Sequence, residues 1–135
     1  MTEQSMLELF SIPQIAYSIG INDEVTEVLK VDSKYVVSSR KIRKIVDSCK
    51  LEYPIIRKAI ISLLPDGYRL ESHTDPSSSS EETRERCMIV NTRRHLTIAY
   101  AYGKTSLEAH SKCLIELNMV LSKGIHEQRR SNEDD

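Results

Sequence analysis

The chain has 135 residues, of which 39% are hydrophobic and 29% charged, and its formal net charge is −1. That length indicates one domain, and that composition is typical of a globular protein. No apolar run is long enough to cross a bilayer and the first residues lack the features of a signal peptide, so we expect a cytoplasmic protein without membrane contact. The three cysteines, Cys49, Cys87 and Cys113, form no CxxC pair, which favours buried thiols over a zinc ribbon or a disulfide framework.

The N-terminal segment, residues 1–33, is acidic, with six acids against a single lysine. Its pattern predicts a short amphipathic helix over residues 2–10 and a second helix with Ser11 as N-cap and Pro13 in the first turn. Two β-rich runs in EVLKVDSKYVV predict a hairpin that turns at Asp32, so the first strand closes this segment. Whether the segment docks on the domain or serves as an arm stays open at this point.

The stretch from residue 34 to residue 69 concentrates positive charge, with nine Lys or Arg against three acids. Ser38 or Ser39 can cap a helix through residue 49, since four apolar residues recur there at helical spacing (Ile42, Ile45, Val46 and Cys49). Pro54 is placed to open a second helix, which ends at the Pro65-Asp66-Gly67 turn before a short strand. Two short helices joined by a tight break, with strands beside them, predict a helix-turn-helix with wing-like β elements.

The C-terminal part predicts a hairpin and a helix. Residues 72–86 form a polar, serine-rich loop that we expect to be mobile. The runs CMIVN and HLTIAYAY predict two strands, and Thr105 with Glu108 forms a capping box for a helix to about residue 122. Residues 123–135 are predicted to be a disordered polar tail. The predicted fold class is therefore α+β: a winged helix-turn-helix-like domain over residues 34–122, with a C-terminal β-hairpin and helix.

Chemical motifs are sparse. The four glycines are scattered and form no phosphate-binding loop, and the four histidines have no metal-binding spacing. His110 lies near the apolar face of the last helix, which favours a core histidine over a ligand. We therefore expect no enzyme activity, no catalytic residue, no metal site and no cofactor.

The basic stretch suggests a DNA-binding site, against the alternative of a solvated helix face rich in Lys and Arg. In a helix-turn-helix the second helix enters the major groove, where Arg57 could donate two hydrogen bonds to a guanine edge. Cations of the first helix would meet phosphates. The predicted DNA-binding residues are Ser39, Arg40, Lys41, Arg43, Lys44, Tyr53, Arg57 and Lys58.

Two stretches resemble a known family. YVVSSRKIRKIVDSCKLEYPIIRKAI is similar to the VVSSR region of the Rha family of phage regulatory proteins, through Val36–Arg40, Ile42, Val46 and Ile56–Ile60. NTRRHLTIAYAYGKTSLEAHSKCLIELN is similar to a later segment of that family, and together the two cover residues 35 to about 120. The chain departs from the family in lacking a histidine before the second helix and in the order Tyr102-Gly103. The resemblance implies an antirepressor-like, winged-helix regulator of a phage or prophage.

Two hypotheses follow. The first is a non-enzymatic transcription regulator that binds duplex DNA, as a homodimer if it uses paired half-sites; the last helix could pair with its copy or pack on its own sheet. The second is a protein-interaction module, either an antirepressor that binds a repressor or an inhibitor of a host protein. The acidic ends and the net charge of −1 favour the second, because they repel phosphate.

Overall fold

The computed structural model describes residues 1–47, 52–76 and 80–124, which form an α+β fold. In chain order the elements of this described part are helix α1 (Glu3–Phe10), helix α2 (Pro13–Ser18), strand β1 (Val25–Val31), strand β2 (Lys34–Ser39), strand β3 (Arg43–Asp47), helix α3 (Tyr53–Leu63), strand β4 (Arg69–Thr74), strand β5 (Glu85–Asn91), strand β6 (Leu96–Gly103) and helix α4 (Ser106–Lys123). A short 3₁₀ turn, Glu81–Thr83, precedes β5.

The strands form two antiparallel meanders, which we name sheet A (β1-β2-β3) and sheet B (β4-β5-β6). Helix α3 connects the two sheets and packs on α2 and α4, while α4 packs across β5 and β6. Helix α1 packs on β1 and α4, so the acidic N-terminal segment docks on the same core as the rest of the chain. The largest fully buried side chains come from both sheets and from helices α1 to α4, and include Phe10, Val37, Ile60, Ile89 and Leu117.

The predicted helix through residue 49 is wrong over its described part, because Arg43–Asp47 form strand β3, paired with β2. Residues 48–51 lie outside the described residues. The spacing of Ile45 and Val46 suits a helix, yet β-branched side chains favour a strand when a neighbouring strand offers a free edge. Val46 faces the core, whereas Ile45 is 68% exposed on the opposite face of sheet A. The helix-turn-helix therefore does not form from the two helices that the sequence predicted.

The helix start assigned to Ser11 is also wrong. The N-cap of α2 is Ile12, and Ser11 is instead the C-cap of α1, where its hydroxyl donates to the Leu7 carbonyl over 2.6 Å. Helix α1 runs directly into α2 across two residues, so the serine completes the first helix before it can cap the second.

The other elements of the described chain confirm their predictions. The β1–β2 hairpin turns at Asp32, which has a φ of 56°. The β5–β6 hairpin and helix α4 follow as expected, with the Thr105 hydroxyl accepting from the Glu108 N–H over 3.2 Å. The connection between β4 and β5 spans only residues 75–84, shorter than the predicted loop 72–86, and residues 77–79 and the tail from 125 lie outside the described part.

Gly103 fixes the approach of sheet B to helix α4. A Cβ at this position would lie 2.6 Å from the Ala109 backbone nitrogen and 2.9 Å from the Glu108 Cβ. Since real Cβ atoms do not approach other atoms so closely, only glycine lets the end of β6 meet the first turn of α4.

Candidate nucleic-acid interface

The β2–β3 turn presents the densest positive charge of the basic stretch. The Ser39 Oγ accepts from the N–H groups of Lys41 (3.3 Å) and Ile42 (3.2 Å), and the Ser39 N–H donates to the Ile42 carbonyl over 2.8 Å. These bonds close a tight turn that carries Arg40 and Lys41, both exposed. Within the described residues neither Arg40 nor Lys41 takes part in an ion pair.

The next two cations lie on opposite faces of β3. Arg43 is exposed and pairs in register with Ser38, on the outer face of sheet A. Lys44 lies on the inner face and is half-buried. Its side chain runs past Gly20, since a Cβ added to that glycine would lie 3.4 Å from the Lys44 Cε. Because Gly20 follows α2, the lysine stem brings this end of sheet A beside the loop after that helix. The structure thus gathers Ser39, Arg40, Lys41, Arg43 and Lys44, five of the eight predicted residues, at one hairpin tip, which we name the basic tip.

The three predicted residues of α3 face different neighbours. Arg57 turns towards α4, where its Nη1 lies 3.5 Å from the His110 Nε2, and the Tyr53 ring centre lies 5.4 Å from that of His110. Lys58 is exposed and faces α2 instead. A helix that reads base edges needs its polar groups on one exposed face, and α3 does not have that arrangement.

His110 is buried, with 3% of its surface exposed, as expected for a core histidine. Its Nδ1–H donates to the Ser106 carbonyl over 2.7 Å, which leaves Nε2 as the acceptor for Arg57. Burial, and then the positive charge of Arg57, lower the pKa of His110, while the Ser106 carbonyl and Glu85 oppose that shift. The neutral ring therefore ties α3 to α4.

A groove between α2 and α3 was not predicted from the sequence. It has a volume of about 1000 Å³, and Pro13, Ala16, Ile21, Ile55 and Ala59 supply much of its wall. Asp23, Glu24 and Lys58 carry charge at its edge. The exposed Tyr17 also lines the groove, and Ile61 is exposed elsewhere on α3. The apolar residues of α2 and α3 that fall outside their buried faces were the signal in the sequence, but only the tertiary packing of the two helices places them together.

The outer face of sheet B is polar and aromatic, and its side chains bind one another. Tyr100 and Tyr102 meet edge to face at 4.8 Å, and the Arg86 guanidinium lies 5.6 Å from the Tyr102 ring centre. Arg86 also lies 3.4 Å from Asp75. A hydrogen bond with Tyr102, together with burial, raises the pKa of Tyr100.

A second, polar hollow of about 600 Å³ lies between the 3₁₀ turn, β6 and α4. Lys112 and Glu108 pair there at 2.8 Å, and this bond holds the pKa of Glu108 below its ordinary value. Glu116 accepts the backbone N–H of Tyr100 over 3.3 Å, which satisfies part of the free edge of β6. The Glu108–Lys112 pair therefore lies within α4, while Glu116 links α4 to β6.

Cys87 and Cys113 are fully buried, which confirms the apolar role predicted for them, and Cys49 lies outside the described residues. A hydrogen bond with Cys87, reinforced by burial, raises the pKa of the Cys113 thiol well above its ordinary value. A thiol held protonated in this way is a poor nucleophile.

Metal and membrane sites gain no support from the described parts of the chain. No three or more His, Cys, Asp or Glu residues come together there in a group that could hold a metal ion. In those same ranges no helix combines the length and the apolar character that a membrane span requires.

No protein-family model, no curated protein and no solved structure matches the chain. The resemblance to the Rha family therefore stays a prediction.

Proposed function

We propose that the protein is a non-enzymatic regulator, of the phage type that the sequence resembles, which binds the backbone of duplex DNA through the basic tip. The observation that carries this proposal is the exposed pair Arg40 and Lys41, held on a closed turn and free of ion pairs within the described residues. Arg43 and Lys44 extend the positive charge along β3. Cations held in this way can displace the counterions of DNA phosphates.

Binding of this kind positions a protein on DNA but reads little sequence. The β2–β3 hairpin would act as the wing of a winged-helix-like arrangement. The side of α3 that faces α2 supports backbone binding better than base reading, because it offers Lys58 beside the apolar Ile55. Arg57, the residue best suited to a guanine edge, already contacts His110. Of the eight DNA-binding residues predicted from the sequence, the proposal therefore leaves out Tyr53 and Arg57.

The decisive measurement is fluorescence anisotropy with a mixed-sequence duplex at several salt concentrations. The double variant Arg40→Gln, Lys41→Gln removes two phosphate contacts, so the slope of log K against log salt should become shallower by about 1.8. The matched control is Arg93→Gln, Arg94→Gln, which removes the same charge from the β5–β6 turn of sheet B. The control should keep the wild-type slope.

If both double variants reduced the salt slope equally, total charge and not the basic tip would drive DNA binding. That result would overturn the assignment of the DNA-binding site to the basic tip. No binding by the wild-type chain at about 50 mM salt would overturn the proposal itself.

The α2–α3 groove favours a second candidate, a protein-interaction module. Its apolar wall and its edge charges of both signs suit an amphipathic helix of a partner protein that carries a basic group towards Asp23 and Glu24 and an acidic group towards Lys58. An Ile55→Glu variant should lose such a partner, while Met119→Glu, an exposed apolar residue on α4, should keep it. The contact must then be reproduced with both purified components. A partner retained equally by both variants would exclude the groove.

A further inference from the structure

The outer face of sheet A has an ordered pattern of three rows that cross its strands. Because paired residues of antiparallel strands point to the same side, the register places Leu29, Val36 and Ile45 in a central row. A second row, nearer the basic tip, contains Glu27, Ser38 and Arg43. A third row contains Val31, Lys34 and Asp47.

The central row is apolar; its members on β1 and β3 are open to solvent, and Val36 on β2 is half-buried. Leu29 is 44% exposed and Ile45 is 68% exposed, and Val31, in the neighbouring row, is 52% exposed. The opposite face of the same strands is buried, with Val28 at 5% and Val37 at 0%. Sheet A therefore has one face in the core and a second face on which Leu29, Val31 and Ile45 are left exposed by the described parts of the chain.

The row nearer the basic tip carries opposite charges at its two ends. Glu27 lies on β1 and Arg43 on β3, so β2 separates them and their backbones are roughly 10 Å apart. In the described part of the chain neither residue takes part in an ion pair. The row thus offers one free charge of each sign.

We propose that a second copy of this chain packs against the outer face of sheet A, related by a twofold axis that runs parallel to β2. Such an axis keeps each row opposite itself and exchanges β1 with β3. Glu27 then faces Arg43 of the partner subunit, and Leu29 faces Ile45 of the partner subunit. Each of these contacts occurs twice, as an isologous interface requires. In the third row the same axis sets Lys34 opposite Lys34 of the partner subunit, a like-charge contact that weakens the association.

The face is small for an interface. The face is two strand spacings wide and about four residues long. With a margin for the side chains, its area is on the order of 300 Å² per copy, against about 800 Å² per partner in a standard interface. Association should therefore be weak, with a dissociation constant on the order of 100 μM. If the proposed DNA binding holds, the axis places both basic tips at the same end of the dimer, so one duplex could hold two copies and raise their effective concentration.

Sedimentation velocity without DNA tests the dimer independently of that function. We expect the wild-type chain to associate reversibly as its concentration approaches about 1 mM. Ile45→Lys should weaken association at least tenfold, whereas the control Ile61→Lys, at a similarly exposed position on α3, should leave it unchanged. Thermal unfolding of each variant confirms that it is folded.

Charge reversal gives the sharper test. Glu27→Arg alone and Arg43→Glu alone each place like charges opposite one another, and each should weaken association at least tenfold. The two substitutions in one chain restore opposite charges, and so should restore association. An equimolar mixture of the two single variants should associate as the wild-type chain does. A monomeric wild-type chain at about 1 mM, or a mixture that stays monomeric, would overturn the proposal.

Discussion

Sheet A and sheet B share one topology and differ in their outer faces. Each is a three-stranded antiparallel meander followed by a helix, and each buries its inner face in the common core. On sheet B the outward-facing side chains bind one another: Arg69 pairs with Glu71 at 2.6 Å, and Arg86 lies near both Asp75 and Tyr102. On sheet A the outward-facing Leu29 and Ile45 are exposed, and among the described residues neither Glu27 nor Arg43 takes part in an ion pair.

The difference shows that a sheet's inner face and outer face carry separate information. The inner positions determine that both meanders fold onto one core, since their apolar residues are buried in both. The outer positions determine what the sheet can bind. Several outward-facing groups of sheet B already have partners within the described chain, so of the two sheets we expect sheet A, with the basic tip at its end, to bind other molecules.

The largest expected effect on stability comes from making the same substitution at a buried position of one sheet and at an exposed position of the other. Ile89 of sheet B is fully buried and Ile45 of sheet A is 68% exposed, so the same substitution probes both faces. We expect Ile89→Ala to lower the free energy of unfolding by about 2–5 kcal/mol through lost burial and a cavity. Ile45→Ala should change it by less than about 0.5 kcal/mol. Urea denaturation at a few micromolar chain measures both.

A comparable loss in the two variants would contradict the separation of faces, because it would mean that Ile45 is covered within a single chain.

The elements that the sequence predicted correctly are those whose signals are local. Thr105 and Glu108 lie three residues apart and define the start of α4, and the alternation in β6 is visible within eight residues. Strand β3 was missed because its conformation depends on the edge of β2, while its own five residues also fit a helical spacing. Periodicity over so short a run does not separate the two structures.

The candidate site divides in the same way. The clustering of the basic tip could be predicted because its residues are neighbours in the sequence, but the helix assigned to them is wrong, since they lie on a hairpin. The contact of Arg57 with His110 spans 53 residues and has no local signal. The rows on sheet A require the register of three strands, and the groove requires α2 beside α3. Neither could be read before the fold was known.

An effect of intermediate size is expected in the pH dependence of stability. The half of the molecule that contains sheet B has a buried ionisable ring, that of His110. The pKa of His110 is lowered from 6.5, by burial and by Arg57 against the opposing Ser106 carbonyl and Glu85; Tyr53 also packs on the ring. The unfolded chain therefore binds a proton more readily than the folded one. Stability should be fully present above about pH 7.5 and should fall as the pH drops through 6.5 towards the lowered folded value.

Urea denaturation between about pH 7.5 and pH 5.5 checks this expectation, in a range where carboxylates remain ionised. His110→Asn should lower stability overall but remove most of the pH dependence. The control is His95→Asn at an exposed turn, where asparagine tolerates the φ of 54°. The control should keep the wild-type slope, and an unchanged slope in His110→Asn would assign the dependence to other groups.

The smallest expected effect compares one carboxylate on each outer face. Glu71 of sheet B bonds Arg69 through both Nε (3.0 Å) and Nη2 (2.6 Å), whereas Glu27 of sheet A has no ion-pair partner among the described residues. The Arg69 side chain is 62% exposed, so solvent screens the pair and Glu71→Gln should cost only about 0.3–1 kcal/mol at low salt. That cost should shrink in about 1 M salt, because screening weakens exposed charge pairs. Glu27→Gln should not measurably lower the free energy of unfolding of the dilute monomer. A salt-sensitive loss of stability in this variant would show that Glu27 already has a partner within the chain. Glu27 would then not be free to face Arg43 of the partner subunit.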